Sequence, residues 1–516
     1  MPDKNASDLM PDWLERRAQL SPDRTALTHE GERWTFAHLN RQAEKFAQRL
    51  SRFVDTGDRV ATLLGNGTAY ALAVHAVPRT GGILVPLNVR LTLPEVIWQM
   101  EDCRPAVIIY DEENADMAVA LSHASSGLSC IAVRDLAGDG DDPKAVRGLS
   151  VPRLFDLSAY HTIVYTSGST GRPKGALLTY GNHWWNAVGS ALNLGLRGDD
   201  CWLACLPMFH VGGLAILLRS VIYGVPVVIQ GSFEPGAVTR AIEKESVTIV
   251  SLVPTTLTRL LEWRGPRPFP NNLRCLLVGG SPLSPSLREE CLAAGWPVTP
   301  TYGMTESASQ LATVPLTEMF QDIHGAVGKP LFPVQIKIVS RDDQTETLPG
   351  SPGSILVCGP TISPRYWEDE TDPAVGRPGG WFDTGDVGFV DEGGYLHVES
   401  RKGDIIISGG ENVYPVEVES ALAEHSDVVD AGVVGVDHDE WGEVVAAAVV
   451  PREGALLAES ELIAFCRERI ADYKIPRRMQ FVSSLPRNAA GKILRDEVRD
   501  SIMQAMTREK AERSPN

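Results

Sequence analysis

The chain has 516 residues, more than a single hydrophobic core usually supports, so we expect two or more domains. Its 48 Lys and Arg against 66 Asp and Glu give a formal net charge of −18, which argues against a nucleic-acid-binding surface and requires a local site for any anionic ligand. The amino terminus carries no apolar signal segment, and the eight cysteines are scattered without zinc spacing. We therefore expect a cytoplasmic protein with reduced thiols.

Up to about residue 300, short β-rich runs alternate with amphipathic helical patterns. Buried strands are predicted at 59–64, 106–110 and 226–229. Thr92 and Glu95 form a capping box that predicts the start of a helix. The most apolar stretch, 211–229, is interrupted by Arg219, so we interpret it as core and not as a membrane span. The alternation predicts an α/β fold in which helices sandwich parallel sheets.

The pattern changes after about residue 320, where short strands lie among Gly and Pro turns. This change predicts a smaller, more antiparallel, β-rich subdomain. A further break falls near 400–404. Beyond it, helices are predicted at 416–423 and 459–470, and strands at 428–436 and 444–450. These elements are enough for an independent C-terminal α/β domain of roughly 110 residues.

The segment Tyr165–Gly175, YTSGSTGRPKG, cannot contribute to a hydrophobic core. It follows an apolar run and consists of glycines and hydroxyl side chains that lead to one lysine. Backbone N–H groups and hydroxyls can donate hydrogen bonds to phosphate, and an ammonium group can neutralise it. The segment is not a Walker A loop, because Pro173 precedes Lys174 and Gly175 follows it. A phosphate-binding loop and a flexible surface loop both fit this composition.

Three later segments carry polar chemistry of their own. In Thr301–Glu306, a carboxylate beside hydroxyls suits a Mg²⁺ ion between phosphates, and Tyr302 suits stacking on a base. In 381–386, two aspartates around a tight turn suit hydrogen bonding to ribose hydroxyls. In 401–412, paired glycines allow a backbone to approach a ligand closely. Taken alone, each segment is more often an ordinary turn or a strand-ending bulge.

Together with 486–492, PRNAAGK, these segments resemble in order and spacing the adenylate-forming superfamily of acyl-CoA synthetases, luciferases and nonribosomal peptide adenylation domains. The resemblance covers nearly the whole chain. It implies a ligase that uses ATP, CoA and Mg²⁺ and works through an acyl-adenylate, with pyrophosphate released first and AMP second. It also implies a large N-terminal adenylation domain (1–400), a hinge at 401–402 that includes Lys402, and a small mobile C-terminal domain (403–516).

The resemblance, with the chemistry above, assigns roles to individual residues. Candidate ATP contacts are Thr166, Ser167, Gly168, Ser169, Thr170, Gly171, Lys174, Tyr302, Asp386 and Arg401. Thr305 and Glu306 match positions at the α-phosphate and the Mg²⁺ ion, and Lys492 matches the lysine that bridges the substrate carboxylate and the α-phosphate. In the superfamily the C-terminal domain rotates about the hinge and replaces this lysine by the segment that matches Gly409 and Gly410, on the path of the CoA pantetheine.

Shorter matches indicate the acid. The segments 180–190, 218–224 and 407–415 resemble the o-succinylbenzoate–CoA ligases of menaquinone biosynthesis. Candidate acid-pocket residues are His210, which is also a candidate catalytic residue, Arg219, Gly280, Thr301, Gly303 and Met304. This acid carries a second carboxylate, whose burial requires a cation or several donors, and Arg219 could be that cation. The alternative is that Arg219 extends from a helix to the surface.

Other functions remain open. Pro300 and Thr301 stand where those ligases have Gln-Ser, so a fatty-acyl or aryl-CoA ligase of other specificity is the alternative. A non-catalytic nucleotide-binding protein on the same fold would be expected to lose Lys174 or Lys492, and both are present. Expected partners are a small carboxylic acid, ATP and CoA, without nucleic acid or membrane insertion. A homo-oligomer is possible, because the sequence does not determine the oligomeric state.

Overall fold

The structure is a computed structural model. It describes residues 8–124, 128–137, 154–166, 173–281, 283, 285–323, 325–340, 345–368, 380–401, 405–455, 457–487 and 493–513. The chain divides into two compact units. The first unit comprises Met1–Val89, Met100–Tyr165 and Gly175–Ser400, and the second comprises Arg90–Gln99, Thr166–Lys174 and Arg401–Asn516. The functional boundary and hinge at 401–402 stay a prediction.

The strands are β1 (Leu9–Pro11), β2 (Thr25–His29), β3 (Glu32–Thr35), β4 (Arg59–Leu63), β5 (Ile83–Pro86), β6 (Val107–Tyr110), β7 (Ser129–Ala132), β8 (Leu154–Asp156), β9 (Tyr160–Thr166), β10 (Lys174–Thr179), β11 (Trp202–Ala204), β12 (Val227–Ile229), β13 (Ile249–Leu252), β14 (Cys275–Val278), β15 (Val298–Met304), β16 (Ser309–Thr313), β17 (Lys329–Pro330), β18 (Gln335–Val339), β19 (Gly353–Cys358), β20 (Arg365–Tyr366), β21 (Phe382–Val390), β22 (Leu396–Arg401), β23 (Ile406–Ser408), β24 (Glu411–Val413), β25 (Val428–His438), β26 (Gly442–Pro451) and β27 (Arg478–Phe481).

The α-helices are α1 (Trp13–Leu20), α2 (Phe36–Leu50), α3 (Thr68–Ala76), α4 (Leu93–Cys103), α5 (Ala115–Ala124), α6 (Val133–Leu136), α7 (Tyr180–Leu194), α8 (Val211–Tyr223), α9 (Pro235–Lys244), α10 (Pro254–Arg264), α11 (Pro285–Ala293), α12 (Pro415–Ala423), α13 (Glu459–Arg467) and α14 (Arg495–Arg513). Among the described residues, no helix is both long and apolar enough to cross a membrane.

Two largely parallel sheets form the framework of the first unit. One has the strand order β20-β10-β9-β5-β4-β6-β7, and the other has the order β17-β16-β15-β14-β13-β11-β12-β2-β3. Their inner strands are short apolar runs buried on both faces, as parallel sheets covered by helices require. One buried cluster joins both sheets, through Leu84 and Val227, to the helices α2 and α8, through Phe46 and Leu218. The predicted α/β fold with parallel sheets and covering helices is confirmed.

The predicted strands at 59–64, 106–110 and 226–229 correspond to β4, β6 and β12. The capping box also forms, because the Glu95 carboxylate accepts hydrogen bonds from the Thr92 amide (2.8 Å) and hydroxyl (2.7 Å). The apolar stretch 211–229 becomes helix α8 and strand β12, both in the core. The β-rich region after residue 320 is the sheet β18-β19-β21-β22, in which the pairs β18–β19 and β19–β21 are antiparallel, as predicted.

The second unit contains an α/β domain beyond residue 401, as predicted. Its sheet has the order β24-β23-β26-β25, and β27 pairs in parallel with β26. The long antiparallel pair β25–β26 alternates its valines and alanines between two apolar clusters, one on each face of the sheet. Helices α12 and α13 cover one face, through residues such as Leu422 and Leu462, and α14 covers the other through Val498.

A buried ion pair stabilises the first unit. The guanidinium of Arg274 donates two hydrogen bonds of 2.7 Å to Asp200, and both side chains are buried. Burial alone would raise the pKa of the Asp200 carboxyl. The hydrogen bond from Arg274, the amide of Arg197, the positive charge of Arg274 and the hydroxyl of Thr248 outweigh this effect and lower the pKa of the carboxyl below its usual range.

We expect Arg274→Met to lower the free energy of unfolding by about 3–5 kcal/mol, because it leaves the Asp200 carboxylate buried without its cation. Since the pKa of Asp200 is lowered on folding, its contribution is fully present above the unfolded-state pKa and is lost as the pH falls through the folded-state pKa. Urea unfolding at neutral and acidic pH measures both the loss of unfolding free energy and its dependence on pH. As a control, Arg134→Met removes an exposed ion pair with Glu112 and should change little; an equal effect of both variants would contradict the expectation.

Candidate active site

The predicted phosphate loop joins two neighbouring strands of the seven-stranded sheet. Strand β9 ends at Thr166 and strand β10 begins at Lys174, so these two predicted ATP contacts lie at the two ends of the loop. The Thr166 hydroxyl donates a long hydrogen bond of 3.4 Å to the Lys174 carbonyl. The other loop residues named from the sequence, Ser167, Gly168, Ser169, Thr170 and Gly171, lie outside the described residues.

A strained turn carries Glu306. Strand β15 ends at Met304, a 3-10 turn covers Thr305–Ser307, and strand β16 returns antiparallel from Ser309. Ala308 (φ 58°) and Ser309 (φ 141°) both adopt positive φ without being glycine, which costs conformational energy. The hydroxyl of Ser307 accepts from the Met304 amide (3.1 Å) and donates within the turn, so the turn is held by its own side chain. The backbone direction at Glu306 is therefore closely defined.

The Glu306 side chain is buried, with 7% of its surface exposed, and it is held by a segment that sequence reasoning missed. The Tyr366 hydroxyl donates a 2.6 Å hydrogen bond to Glu306 Oε1, and the Ser363 amide donates a 2.7 Å hydrogen bond to the Glu306 carbonyl. Among the described residues, Glu306 Oε2 has no hydrogen-bond partner. One carboxylate oxygen is thus fixed while the other is available to a ligand.

Two predicted nucleotide contacts, Tyr302 and Asp386, come together. The Tyr302 hydroxyl donates a 2.5 Å hydrogen bond to Asp386 Oδ2, although 84 positions separate the two residues. Asp386 is buried in β21, and Asp383, the other aspartate of this segment, accepts from the Gly385 amide (3.0 Å) in the turn. Strand β22 ends at Arg401, of whose side chain nothing is described. The pair presents an aromatic ring beside a carboxylate.

The predicted acid-pocket residues of β14 and β15 are also close together. These two strands are parallel neighbours, so the glycine pair after β14 meets the carboxyl half of β15. A Cβ at Gly279 would lie 2.7 Å from the Thr301 carbonyl oxygen, and Gly280 adopts φ +84°. The Thr301 hydroxyl lies 2.7 Å from that of Thr313, and Met304 ends the strand half-buried. Together these residues form one wall of the predicted acid pocket, and this wall consists of closely packed backbone.

Gly303 lies in the same wall, at a register shift between β15 and β16. A Cβ at this position would lie 1.8 Å from the Ser309 carbonyl oxygen and 2.9 Å from Gln310 Cα, both of which are backbone atoms. No side chain fits there without a shift of the strand. The glycine is required by the close approach of the two chains.

Arg219 lies in helix α8, which begins after the N-cap residue His210. Its side chain is 2% exposed, so it does not extend to the surface, and that alternative is wrong. Its Nη2 donates a 2.7 Å hydrogen bond to Asn186 Oδ1, and its guanidinium carbon lies 5.5 Å from the centre of the Trp202 ring. Among the described residues it forms no ion pair, and its Nε has no hydrogen-bond partner. Burial lowers its pKa.

Asn186 links Arg219 to the turn that carries Glu306. It is buried in α7 and donates 2.9 Å hydrogen bonds to the carbonyls of Ser307 and Gln310. Helix α7 is fixed by a capping box at Thr179, so the position of Asn186 follows from local sequence. Sequence reasoning did not identify Asn186; an amide within an otherwise amphipathic helix is the signal that could have done so. His210 is half-buried and packs edge-on against Phe209.

In the second unit, Gly409 (φ +60°) and Gly410 (φ +86°) form the tight turn between β23 and β24. A Cβ at Gly409 would lie 2.6 Å from the Trp441 ring. The predicted hinge residue Lys402 and the predicted catalytic Lys492 lie outside the described residues. Among the residues that are described, no group of three or more His, Cys, Asp or Glu could hold a metal ion.

A parallel α/β framework, a buried glutamate within a tight turn and a tyrosine–aspartate pair suit an enzyme that binds an adenine nucleotide. The chain belongs to the AMP-binding enzyme family, whose model matches residues 14–367, and the model of the AMP-binding enzyme C-terminal domain matches residues 417–492. Among its relatives is the 2-succinylbenzoate–CoA ligase of Bacillus cereus, which is 42% identical over 496 residues, covering 96% of this chain and 99% of that protein.

Solved structures of similar sequence extend the comparison. A double mutant of o-succinylbenzoate CoA synthetase from Bacillus subtilis, bound with its product analogue, has a TM-score of 0.89 at 39% identity and covers 95% of this chain and 99% of that chain. The same Bacillus subtilis enzyme in complex with ATP and a magnesium ion has a TM-score of 0.70 at 39% identity, with the same coverage.

Proposed function

We propose that the protein is an AMP-forming acid–CoA ligase that converts o-succinylbenzoate to o-succinylbenzoyl-CoA, a step of menaquinone biosynthesis. Its full-length similarity to 2-succinylbenzoate–CoA ligases supports both the reaction and the acid. Within the structure, one observation carries the choice of acid: the guanidinium of Arg219 is buried beside Asn186 without an ion-pair partner among the described residues. A buried cation of this kind is costly unless an anion pairs with it.

The reaction has two steps. In the first, an oxygen of the succinyl carboxylate attacks the α-phosphorus of ATP, the bond to pyrophosphate breaks, and an acyl-adenylate forms. In the second, the sulfur of CoA attacks the acyl carbon, AMP leaves with the bonding pair, and the thiol proton is released. No protein nucleophile is needed, so catalysis depends on positioning and on neutralising phosphate charge. ATP and CoA are therefore co-substrates.

For the nucleotide, the pair Tyr302–Asp386 suits the adenosine: the ring can stack on the base, and the carboxylate can accept from ribose hydroxyls. We propose the same nucleoside role for Arg401. The loop from Thr166 to Lys174 is proposed to hold the phosphates that leave as pyrophosphate, because strand ends, glycines and hydroxyls supply donors and the lysine supplies charge.

Mg²⁺ fits the residues present. The buried carboxylate of Glu306 has one oxygen held and one without a hydrogen-bond partner among the described residues, and the hydroxyl of Thr305 lies next to it in sequence. Mg²⁺ prefers oxygen ligands and is typically held by one or two carboxylates together with substrate phosphates, so a single glutamate suffices. When bound, the ion would neutralise phosphate charge. Glu306 would be a protein ligand of the ion.

The acid is proposed to bind along β15 and α8. Gly280, Thr301, Gly303 and Met304 form a wall of closely packed backbone that suits the flat ring. His210, the N-cap residue of α8, is proposed to border this pocket. Arg219 is proposed to pair with the aromatic carboxylate, the one that does not react. The Asn186 side chain then accepts a hydrogen bond from the guanidinium through Oδ1 and donates one to the Ser307 carbonyl through Nδ2. It thereby connects α8 to the turn that carries Glu306.

For the two half-reactions we propose that Lys492 neutralises charge between the succinyl carboxylate and the α-phosphate during adenylation. Gly409 and Gly410 are proposed to line the path of pantetheine during CoA transfer, since their positive φ and missing side chains leave the backbone accessible. A hinge at Lys402 between the two steps completes the proposal, with the domains 1–400 and 403–516 on either side. We further propose a cytoplasmic enzyme that does not bind nucleic acid; a homo-oligomer is compatible with it.

A substrate panel tests the proposed acid. We expect thioester formation with o-succinylbenzoate in the presence of ATP, Mg²⁺ and CoA, and much slower formation with benzoates, coumarates and fatty acids. Thioester and AMP are measured by chromatography, and pyrophosphate–ATP exchange gives the first step alone. Faster turnover of a fatty or simple aryl acid would show that o-succinylbenzoate is not the preferred substrate, while the assignment as an acid–CoA ligase would stand. Absence of pyrophosphate–ATP exchange with every acid would favour a non-catalytic nucleotide-binding protein.

A further inference from the structure

The segment Ser363–Trp367 contacts both strand β10, from Gly175 onward, and the turn that carries Glu306, all within the first unit. Its short strand β20 pairs antiparallel with β10, opposite Ala176 and Leu177, just after the strand has left Lys174. The Ser363 hydroxyl donates to the Leu177 carbonyl (2.8 Å), and the Trp367 amide donates to the Gly175 carbonyl (2.7 Å). The segment is therefore anchored to the strand that begins at the phosphate loop.

The same segment holds Glu306 by two contacts. The Ser363 amide donates to the Glu306 carbonyl, and the Tyr366 hydroxyl donates to Glu306 Oε1 at 2.6 Å. Tyr366 and Glu306 are both 7% exposed, so water competes little for this charge-assisted hydrogen bond. The Trp367 indole further donates to the Asp102 carbonyl (3.2 Å), which fixes the far end of the segment.

We infer that Tyr366 is a positioning residue for the metal-binding carboxylate: it holds Glu306 Oε1 so that Oε2 faces the Mg²⁺–ATP complex, and β20 sets the carboxylate at a fixed place relative to β10. This inference rests on the proposed metal role of Glu306. A glutamate carboxylate, whose oxygens are placed by three rotatable bonds, otherwise has to be ordered when the ion binds, which weakens binding. The phenol orders it in advance, as supporting hydrogen bonds do for metal ligands generally.

The test is Tyr366→Phe in the full-length protein, with Mn²⁺ as the probe. Electron paramagnetic resonance measures Mn²⁺ binding in the presence of the α,β-methylene analogue of ATP, which cannot transfer its adenylyl group because a methylene group replaces the oxygen that would leave with pyrophosphate. We expect the dissociation constant of Mn²⁺ to rise about tenfold, the effect of losing a hydrogen bond to a charged group. The Mg²⁺ concentration for half-maximal pyrophosphate–ATP exchange should rise by a similar factor.

Tyr395→Phe is the matched control, because Tyr395 also donates to a glutamate, Glu318, which has no proposed metal role. It should leave Mn²⁺ binding unchanged. Glu306→Gln should weaken Mn²⁺ binding more than Tyr366→Phe, and adding Tyr366→Phe to Glu306→Gln should have little further effect, because the two residues act on the same contact.

Comparing the two variants distinguishes failure of the positioning role from failure of the proposed metal role of Glu306. If Glu306→Gln weakens Mn²⁺ binding and Tyr366→Phe does not, the positioning role is wrong and the metal role stands. If Glu306→Gln leaves Mn²⁺ binding unchanged, both are wrong. A loss of thermal stability in Tyr366→Phe without a change in Mn²⁺ affinity would mark a purely structural contact. If Tyr366→Phe does not fold, Ser363→Ala, which loosens the same segment from Leu177, should weaken Mn²⁺ binding in the same direction, and unchanged binding would overturn the inference.

Discussion

Replacing Lys492 with alanine is expected to reduce adenylate formation by about 10²- to 10³-fold or more, while CoA transfer to a preformed acyl-adenylate is retained. The physical reason is that the ammonium group is proposed to neutralise charge that develops between two anions, the carboxylate and the α-phosphate. This charge exists only in the first step. Pyrophosphate–ATP exchange measures that step, and single-turnover thioester formation from synthetic o-succinylbenzoyl-AMP measures the second.

Lys474→Ala would be a poor control for this experiment, because Lys474 is buried between two carboxylates and its loss would destabilise the fold. Arg487→Ala is better matched: it lies five positions before Lys492, and its ion pair with Asp430 is partly exposed. This control should leave both steps near wild type. Equal loss of both steps in Lys492→Ala would contradict the assignment of the lysine to adenylation alone.

The second large effect is expected at Arg219. Arg219→Met should lower kcat/KM for o-succinylbenzoate by about 10²- to 10³-fold, because the aromatic carboxylate would be buried without its cation. For 4-oxo-4-phenylbutanoate, which is the same acid without the aromatic carboxylate, kcat/KM should stay the same or rise. The ratio of the kcat/KM values for the two substrates therefore reports the pairing of charges. It is insensitive to a general loss of active enzyme.

Arg264→Met provides the control for the loss of an arginine packed on an aromatic ring. Arg264 is largely buried, its guanidinium carbon lies 4.3 Å from the centre of the Phe269 ring, and it pairs with Glu243. We expect this variant to have a lower free energy of unfolding but the same ratio of kcat/KM values for the two substrates. A parallel fall for both substrates in Arg219→Met would show that Arg219 only supports the core, and a fatty-acyl or other aryl acid would then be the better candidate.

Local patterns in the sequence predicted most of the framework. Strands β4, β6 and β12 are short β-branched runs, helix α4 begins at its capping box, and the turn of Gly409 and Gly410 follows from the glycine pair. These features depend on neighbours within a few positions, which is why they are visible without a structure. The candidate site around Thr301–Glu306 and Asp386 was predicted differently, from the resemblance of these distant segments, in their order and spacing, to the adenylate-forming superfamily.

The supporting contacts could not be predicted in this way. Tyr366 meets Glu306 across 60 positions, Ser363 meets Leu177 across 186, and no periodic pattern records such pairings. The environment of Arg219 was also undetermined, since an arginine in an apolar helix can reach the surface or be buried. The packing of α8 against α7 and the nine-stranded sheet decides between a surface-reaching and a buried side chain.

The crossing of β15 and β16 at Gly303 has a consequence for how such an enzyme could change its substrate. A side chain at this position would collide with backbone atoms of the neighbouring strand, which begins at Ser309 with a φ of 141°. Variation of the proposed acid pocket is therefore expected at neighbouring residues such as Thr301 and Met304. On this proposal, other acids would be accommodated by exchanging those side chains, while the glycine between them resists substitution.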